Sequence, residues 1–198
     1  AGFGFEHAPD ERHVRKLQRL LNLTEASPVP TPMVQGEKPT DPDALDLLDA
    51  ALSRLFGTAV GILIYFSQDR VDVQFVAKLL ASSLKAPAAE DLARLKRCAR
   101  YLIGTIHYVL LYPWQQSPGL VDVHADSDWA GERVTRKSTT SGVVYHGRHP
   151  LESYAVNQQV IALSSGEAEF YAVGKAVAHL LFLIYILKEV GPSVKGRV

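Results

Sequence analysis

Cysteine occurs once in these 198 residues, at Cys98. That excludes an internal disulfide, and the helical pattern around it reads as a small buried hydrophobe rather than a reactive thiol. Charge of either sign is not in excess: Lys plus Arg and Asp plus Glu are both 21, so the formal net charge is zero. Overall charge therefore argues neither for nor against a nucleic-acid partner, and local patches must decide. No signal peptide is visible, which sets an intracellular expectation with the compartment open. The two most apolar runs, Gly57–Phe66 and Ala176–Leu187, both fall short of the roughly 20 residues of a membrane helix, so each reads as a core helix, with lipid contact the lesser alternative. There is no internal repeat. His124, His146, His149 and His179 have no metal-binding spacing, and Ser164-Ser165-Gly166 lacks a nucleophile elbow and a base. A chain beginning at Ala1 reads as a processed product or a piece of something longer.

What is present is ordinary globular material, 47% hydrophobic and 21% charged. Residues 1–26 hold a short amphipathic helix, with Val14, Leu17, Leu20 and Leu21 on one face and Arg12, Arg15, Lys16 and Arg19 on the other. Pro28, Pro30, Pro32, Pro39 and Pro42 then mark an extended connector rather than a packed element. Residues 44–66 read as one helix, with Leu45, Leu48, Leu52, Leu55 and Phe56 on its stripe and Gly57 and Gly61 spaced to allow close packing. Val73, Val76, Leu79, Leu80 and Leu84 give a third helix. Pro87, Glu90 and Asp91 open a fourth, on which Arg94, Arg97 and Arg100 offer a basic stripe for phosphates. Leu110–Pro118 reads as a bridge and the domain boundary.

Residues 121–192 carry the chemistry. Val121, Val123 and Ala125 alternate with Asp122, His124 and Asp126 as in a half-buried strand, which breaks at Trp129-Ala130-Gly131. Two further strands, Thr140–His146 and Leu151–Val156, flank hairpin residues Gly147-Arg148-His149-Pro150. Ser164-Ser165-Gly166-Glu167 then forms a capping box for a long helix ending at Gly191-Pro192, with Glu169 on its first turn. One acid ends the first strand and another opens the helix. Arg133, Arg136 and Lys137 make a small basic loop nearby.

Several phrases in this order resemble the ribonuclease H region of copia-type LTR retrotransposon polyproteins: the stretch from Asp126 to Gly131, the run Thr135 to Thr139 with Ser141-Gly142, and the stretch from Leu163 to Ala172. Pro28–Met33, Gly57–Tyr65, Arg70–Val73 and Arg100–Thr105 likewise resemble the segment joining polymerase to ribonuclease H in that family. The resemblance implies hydrolysis of RNA in RNA–DNA hybrids by two divalent ions, Mg2+ or Mn2+, about 4 Å apart. It makes Asp126 and Glu169 the catalytic carboxylates and metal ligands, and leaves Glu167 as the capping acid. Arg94, Arg97, Arg100, Arg136 and Lys137 become candidate nucleic-acid contacts. Three departures stand out. The family's next catalytic Asp lies on a strand after the long helix, beyond Val198. Thr139-Thr140 adds a residue that a loop or bulge must absorb. Asn157-Gln158 stands where the family often has a basic residue. The polymerase's paired aspartates would precede Ala1.

The expected fold is α/β (α+β): an N-terminal helix and connector over 1–43, a helical region over 44–117, and over 118–198 an incomplete ribonuclease H-like mixed sheet of three strands with the long helix on one face. The expected function is that of a ribonuclease H-like hydrolase, inactive in this truncated form. The alternative is a non-catalytic structural subunit whose protein partners pack on the outer side of Leu180–Leu187 and on the open sheet edge. A bare nucleic-acid binder using Arg94, Arg97 and Arg100 is the third reading.

Overall fold

The computed structural model describes residues 3–34, 46–132, 135–191 and 194–198. The sequence readings at Pro39, Pro42, Leu45, Arg133 and Pro192 lie outside them. The fold is mixed α/β, with five helices and two sheets among the described residues, in two compact units: residues 8–109, and residues 1–7 with 110–198.

The first unit is helical. Asp10 caps α1 (Glu11–Leu20) by accepting from the Arg12 amide at 2.9 Å. Asp49 does the same for α2 (Ala50–Phe66), accepting from the amides of Ala51 and Leu52. That cap is why α2 starts at Ala50 rather than at residue 44. Leu47 instead makes a bridge with Ala88, next to the start of α4. One tight turn, Val71–Val73, leads into α3 (Gln74–Ser82), and α4 runs Ala89–Gly104. Val14, Leu17, Phe56, Leu63, Phe66, Leu80, Leu95 and Leu102 are almost wholly enclosed and form the core. The glycines of α2 do not bring helices together: a Cβ on Gly61 would meet nothing within 4 Å, and one on Gly57 would make only an ordinary contact with Leu84. Cys98 is fully buried, and burial pushes its thiol up to about 12.

The first part of the proline-rich connector, residues 27–34, is packed, contrary to the spacer reading there. Val29 and Met33 lie against the helical core. Gly104 lets Pro28 approach so closely that a Cβ there would sit 2.8 Å from the ring. Arg97 donates to Thr31 Oγ1 (2.9 Å) and Arg100 to the Ser27 carbonyl (2.7 Å), so α4 holds the connector by two guanidinium groups.

The second unit holds both sheets. β1 (Phe5–His7) pairs antiparallel with β2 (Leu110–Tyr112), and the Phe5 and Tyr112 rings stack at 4.6 Å. The larger sheet has the order β5-β4-β3-β6, with β3 (Leu120–Asp128), β4 (Thr139–His146), β5 (His149–Asn157) and β6 (Lys195–Arg197). It is four-stranded, not three-stranded. β6 follows the long helix α5 (Ser165–Val190) and pairs parallel to β3, setting Lys195, Gly196 and Arg197 beside Leu120, Val121 and Asp122. The edge of β3 is thus covered over its first three residues. The β4–β5 turn is only Gly147-Arg148, with Gly147 at φ +62°, where an L side chain is strained. The β3–β4 ladder runs without interruption from Val121 opposite His146 to Asp128 opposite Thr139. The extra residue near Thr139 is therefore absorbed outside that ladder.

α5 buries one stripe, Ala168, Ala172, Ala176, Leu180 and Ile184, on the sheet against Val121, Val123 and Val144. Its alanines let the helix lie close to the strands. Gly196 has the same role in β6: a Cβ there would come within 2.8 Å of both Leu180 and Ile184. The apolar run Ala176–Leu187 is only part of a 26-residue helix, and α5 is long and apolar enough to cross a membrane by length and composition. A core helix that is mostly buried passes the same test, whereas only 22% of the most apolar window of α5 is buried within this chain.

Candidate active site

β3 sets the geometry of the acids. Strand side chains alternate between faces, and Val121 and Val123 are buried under α5 with Ala125 half-buried beside them. Ser127 is next on that face, and its hydroxyl donates to Glu169 Oε1 at 2.9 Å. The helix-opening acid is therefore tied to the end of the central strand through Ser127. Asp126, one residue earlier, is exposed and paired in register with Ser141. Asp122, on the same alternation as Asp126, receives the Arg197 guanidinium at 2.5 Å, and His124 lies edge-on to Tyr145.

The neighbouring acids are engaged locally. Asp128 folds over the turn that follows: a Cβ on Gly131 would fall 1.8 Å from its carboxylate, so any larger residue there would push that carboxylate aside. Trp129 Nε1 donates to the Ala162 carbonyl and Ala130 N to Ser138 Oγ, which pins this turn to the loop before α5. At the helix start, Ser164 Oγ accepts from the Glu167 amide (3.1 Å), and Glu167 returns a carboxylate oxygen to the Leu163 amide (2.7 Å). This is a capping box displaced by one residue on its return bond. Tyr171 donates to the other Glu167 oxygen at 3.0 Å, and that bond, with the carboxylate's charge, raises the Tyr171 hydroxyl above its ordinary value.

Gln158 joins sheet to helix. Its side-chain amide donates to Thr140 Oγ1 (3.0 Å) and to the Ala168 carbonyl (2.8 Å), and its backbone amide donates to Ser138 (2.8 Å). It is buried and fixes the residue immediately before Glu169. Gln158→Glu sets an acceptor against the Ala168 carbonyl and is expected to destabilise this unit by about 1–3 kcal/mol at neutral pH. Thermal melts should show the loss shrinking on acidification, because the protonated acid donates again. A pH-independent loss would assign it to packing instead. A groove of about 420 Å³ beside Gln158 is lined by Val156, Val160, Tyr171 and Lys175, and neither Asp126 nor Glu169 borders it.

The arginines of α4 have partners within the chain. Arg94, largely buried, is paired with Glu90 and with Asp91 (3.4 Å), while Arg97 and Arg100 hold the connector. Arg136 is exposed, in the left-handed region at φ +58°, and Lys137 is half-buried next to it. Among the described residues, no three His, Cys, Asp or Glu side chains group closely enough to hold a metal ion. Three further histidines are engaged in the structure: His146 and His149 bond the carbonyls of Pro118 and Pro113, and His179 bonds Glu152. The Ser127–Glu169 bond and the Gln158 clamp escaped the sequence reading. Strand alternation, which puts Ser127 on the buried face, was the available signal for the first.

Over 185 residues, 93% of its length, the chain is 30% identical to the retrovirus-related Pol polyprotein from transposon RE1 of Arabidopsis thaliana. It is 26% identical over 192 residues to the corresponding polyprotein from transposon TNT 1-94 of Nicotiana tabacum. The chain is homologous, over most of its length, to a segment of the Pol polyproteins of copia-type retrotransposons. It spans 12% and 14% of those two relatives' lengths. An uncharacterized mitochondrial protein of Arabidopsis thaliana, AtMg00810, is 34% identical over 125 residues, which is 63% of this chain and 52% of that protein. No protein-family model matches the chain. The copia-type assignment covers both units, since the match to RE1 takes in 93% of the sequence.

Proposed function

We propose that residues 110–198 of this Pol-derived chain are a ribonuclease H-like unit, serving in a longer polyprotein to hydrolyse the RNA strand of an RNA–DNA hybrid. The observation that carries this reading is the Ser127–Glu169 bond, which ties the helix-opening acid to the residue next to Asp126 at the end of the central strand, although strand alternation turns the Asp126 side chain to the opposite face. The parallel strand β6 adds to it: a strand after the long helix is where the resemblance puts the next acid, and β6 runs alongside β3 toward Asp126.

Asp126 and Glu169 supply hard carboxylate oxygens of the kind Mg2+ or Mn2+ accepts. Two carboxylates are too few for a pair of ions about 4 Å apart, so no catalytic step is routed through a metal in this chain. Arg136 and Lys137, at the loop before β4, are the basic groups placed to meet the backbone of a hybrid.

The test is cleavage of a labelled RNA–DNA hybrid in Mg2+ or Mn2+. The 198-residue chain is expected to cleave little or none. A chimera continued by the RE1 polyprotein segment that follows the matched region is expected to cleave, and to lose at least about a hundredfold on Asp126→Asn or Glu169→Gln. Circular dichroism checks that these variants fold. A folded, active chimera indifferent to both substitutions would overturn the reading.

A further inference from the structure

With one stripe of α5 committed to the sheet, its outer side remains. An α-helix turns 100° per residue, so Glu167, Phe170, Gly174, Val177, Ala178, Leu181, Tyr185 and Lys188 share that side. Phe170 is 75% exposed, Leu181 48% and Tyr185 65%. Gly174, Ala178 and Lys188 are exposed too, and a Cβ on Gly174 would meet nothing within 4 Å. Read along the helix, the order is acid, aromatic, gap, two small apolar residues, leucine, aromatic, base.

That order is its own complement when reversed. Let two copies of α5 run antiparallel about a two-fold axis between residues 177 and 178. Glu167 then faces Lys188 of the other copy, Phe170 faces Tyr185, Gly174 faces Leu181, and Val177 faces Ala178, each pair occurring twice. The leucine of each copy enters the gap at the other's glycine, as a knob enters a hole. Val177 and Ala178 at the crossing let the axes approach within the usual 8–10 Å. A parallel pairing would instead set Glu167 near Glu167, Lys188 near Lys188 and gap against gap. The charges at the two ends thus favour the antiparallel arrangement, with Glu167 keeping its bonds to the Leu163 amide and the Tyr171 hydroxyl. Their energy is small at the surface, but like charges in the wrong orientation penalise it. Lys188 lies 5.6 Å from the centre of its own Tyr185 ring, which holds both toward this face.

Fully buried aromatics contribute about 150–250 Å² each. At the exposures of Phe170, Val177, Leu181 and Tyr185, this face of α5 offers on the order of 400 Å² of side-chain surface, about half the roughly 800 Å² per partner of a standard interface, so the association it supports is a weak one. Isologous two-fold pairing of this kind is the commonest way soluble chains associate.

We propose that the chain pairs with a second copy of itself through the outer face of α5, antiparallel, with Leu181 seated at Gly174 of the other copy. Sedimentation equilibrium of the 198-residue chain between about 1 and 100 μM tests this. The expected result is a mass that rises with concentration from 21.7 kDa to twice that value. Leu181→Glu should raise the dissociation constant about thirtyfold or more. Gly174→Leu, which fills the hole on an exposed helix surface, should weaken association without lowering the melting temperature. Ala178→Cys should cross-link under mild oxidation, since the two copies of that residue flank the axis. Cys98, fully buried, does not compete, and Ser82→Cys on the helical unit should dimerise without cross-linking. Three outcomes overturn the proposal: a constant 21.7 kDa with no cross-link at position 178; a dimer indifferent to Leu181→Glu; or a monomer that floats with phosphatidylcholine vesicles, which would make the face a lipid contact.

Discussion

Replacing Arg70 with methionine is expected to cost the helical unit about 3 kcal/mol, comparable to truncating one of its buried core side chains. Arg70 is only 4% exposed, yet it is fully satisfied. Nε and one terminal nitrogen grip both oxygens of Asp72 (2.9 and 2.7 Å), while the two terminal nitrogens also reach the Thr105 carbonyl and hydroxyl (3.0 and 2.8 Å). Tyr101 adds its hydroxyl to Asp72 at 2.6 Å. The network thus fastens the turn before α3 to the last turn of α4. Methionine fills the volume but leaves Asp72 without its cation and Thr105 without its donor. The figure sits at the low end for a broken buried pair because Asp72 keeps about a third of its side-chain surface in water. Urea denaturation measures it, and Arg70→Met with Asp72→Leu should cost less than the two single changes added. A loss under 1 kcal/mol for Arg70→Met would show the network to be ornamental.

The same network carries a pH signature. Burial alone would raise the Asp72 carboxyl, but the bonds from Arg70 and Tyr101 outweigh it and hold it below the ordinary carboxylate value. A depressed folded-state value means the unfolded carboxyl takes up its proton first as pH falls. The contribution is therefore present in full above the unfolded value of about 3.9 and is lost below it. Urea midpoints compared between the parent chain and Asp72→Asn should converge on acidification below that point.

In the sheet unit the most damaging small change is expected to be Gly142→Val. Gly142 lies opposite Tyr154 in the β4–β5 ladder, and the Tyr154 ring covers it. A Cβ on Gly142 would come 2.4 Å from the hydroxyl oxygen and 2.5 Å from the ring carbon that bears it. The ring cannot step aside cheaply. It stacks on His179 of α5 at 4.1 Å, and His179 is bonded to Glu152 at 2.8 Å. Overpacking a filled site costs about 1–3 kcal/mol, and the upper end is expected because a helix contact must break as well. Near-ultraviolet circular dichroism should lose the tyrosine signal of this site along with the fall in melting temperature. Tyr154→Ala in the Gly142→Val background should recover part of the loss, and failure to do so would place the strain elsewhere.

The parts of this fold that were legible in the sequence are those with a period. Alternation over Val121–Asp126 gave β3, and the apolar helix with its Ser164 and Glu167 start gave α5. β6 was not legible: Lys195-Gly196-Arg197 has neither β-branched residues nor alternation, and it forms a strand because Gly196 can slip beneath Leu180 and Ile184. β1 and β2, three residues each, are equally silent, since pairing partners so distant in sequence leave no local pattern. The α4 arginines illustrate another limit. A row of guanidinium groups on a helix looks the same in sequence whether it faces phosphates or, as with Arg97 and Arg100, the hydroxyl and carbonyl of a neighbouring segment. At the candidate site the acids were found by their words. Ser127 and Gln158, which hold Glu169 in place, were not, because a serine and a glutamine carry no signal until strand and helix are seen together.

The pairing of His7 with Leu110 has a consequence for the order in which the molecule is made. The helical unit is one unbroken stretch, residues 8–109, with its core formed from its own residues. On a ribosome it can collapse as soon as its last helix has emerged. β1 is synthesised before the helical unit and must then wait through about a hundred residues for β2, with the helical unit already folded between them. A folded insert shortens that wait in conformational terms. It replaces the entropy of closing a long flexible loop with the fixed distance between its own two ends. β3 waits in the same way for β6 until α5 has been made, so the sheet unit, with its distant pairings, is the slow partner in synthesis and the one exposed to misassembly.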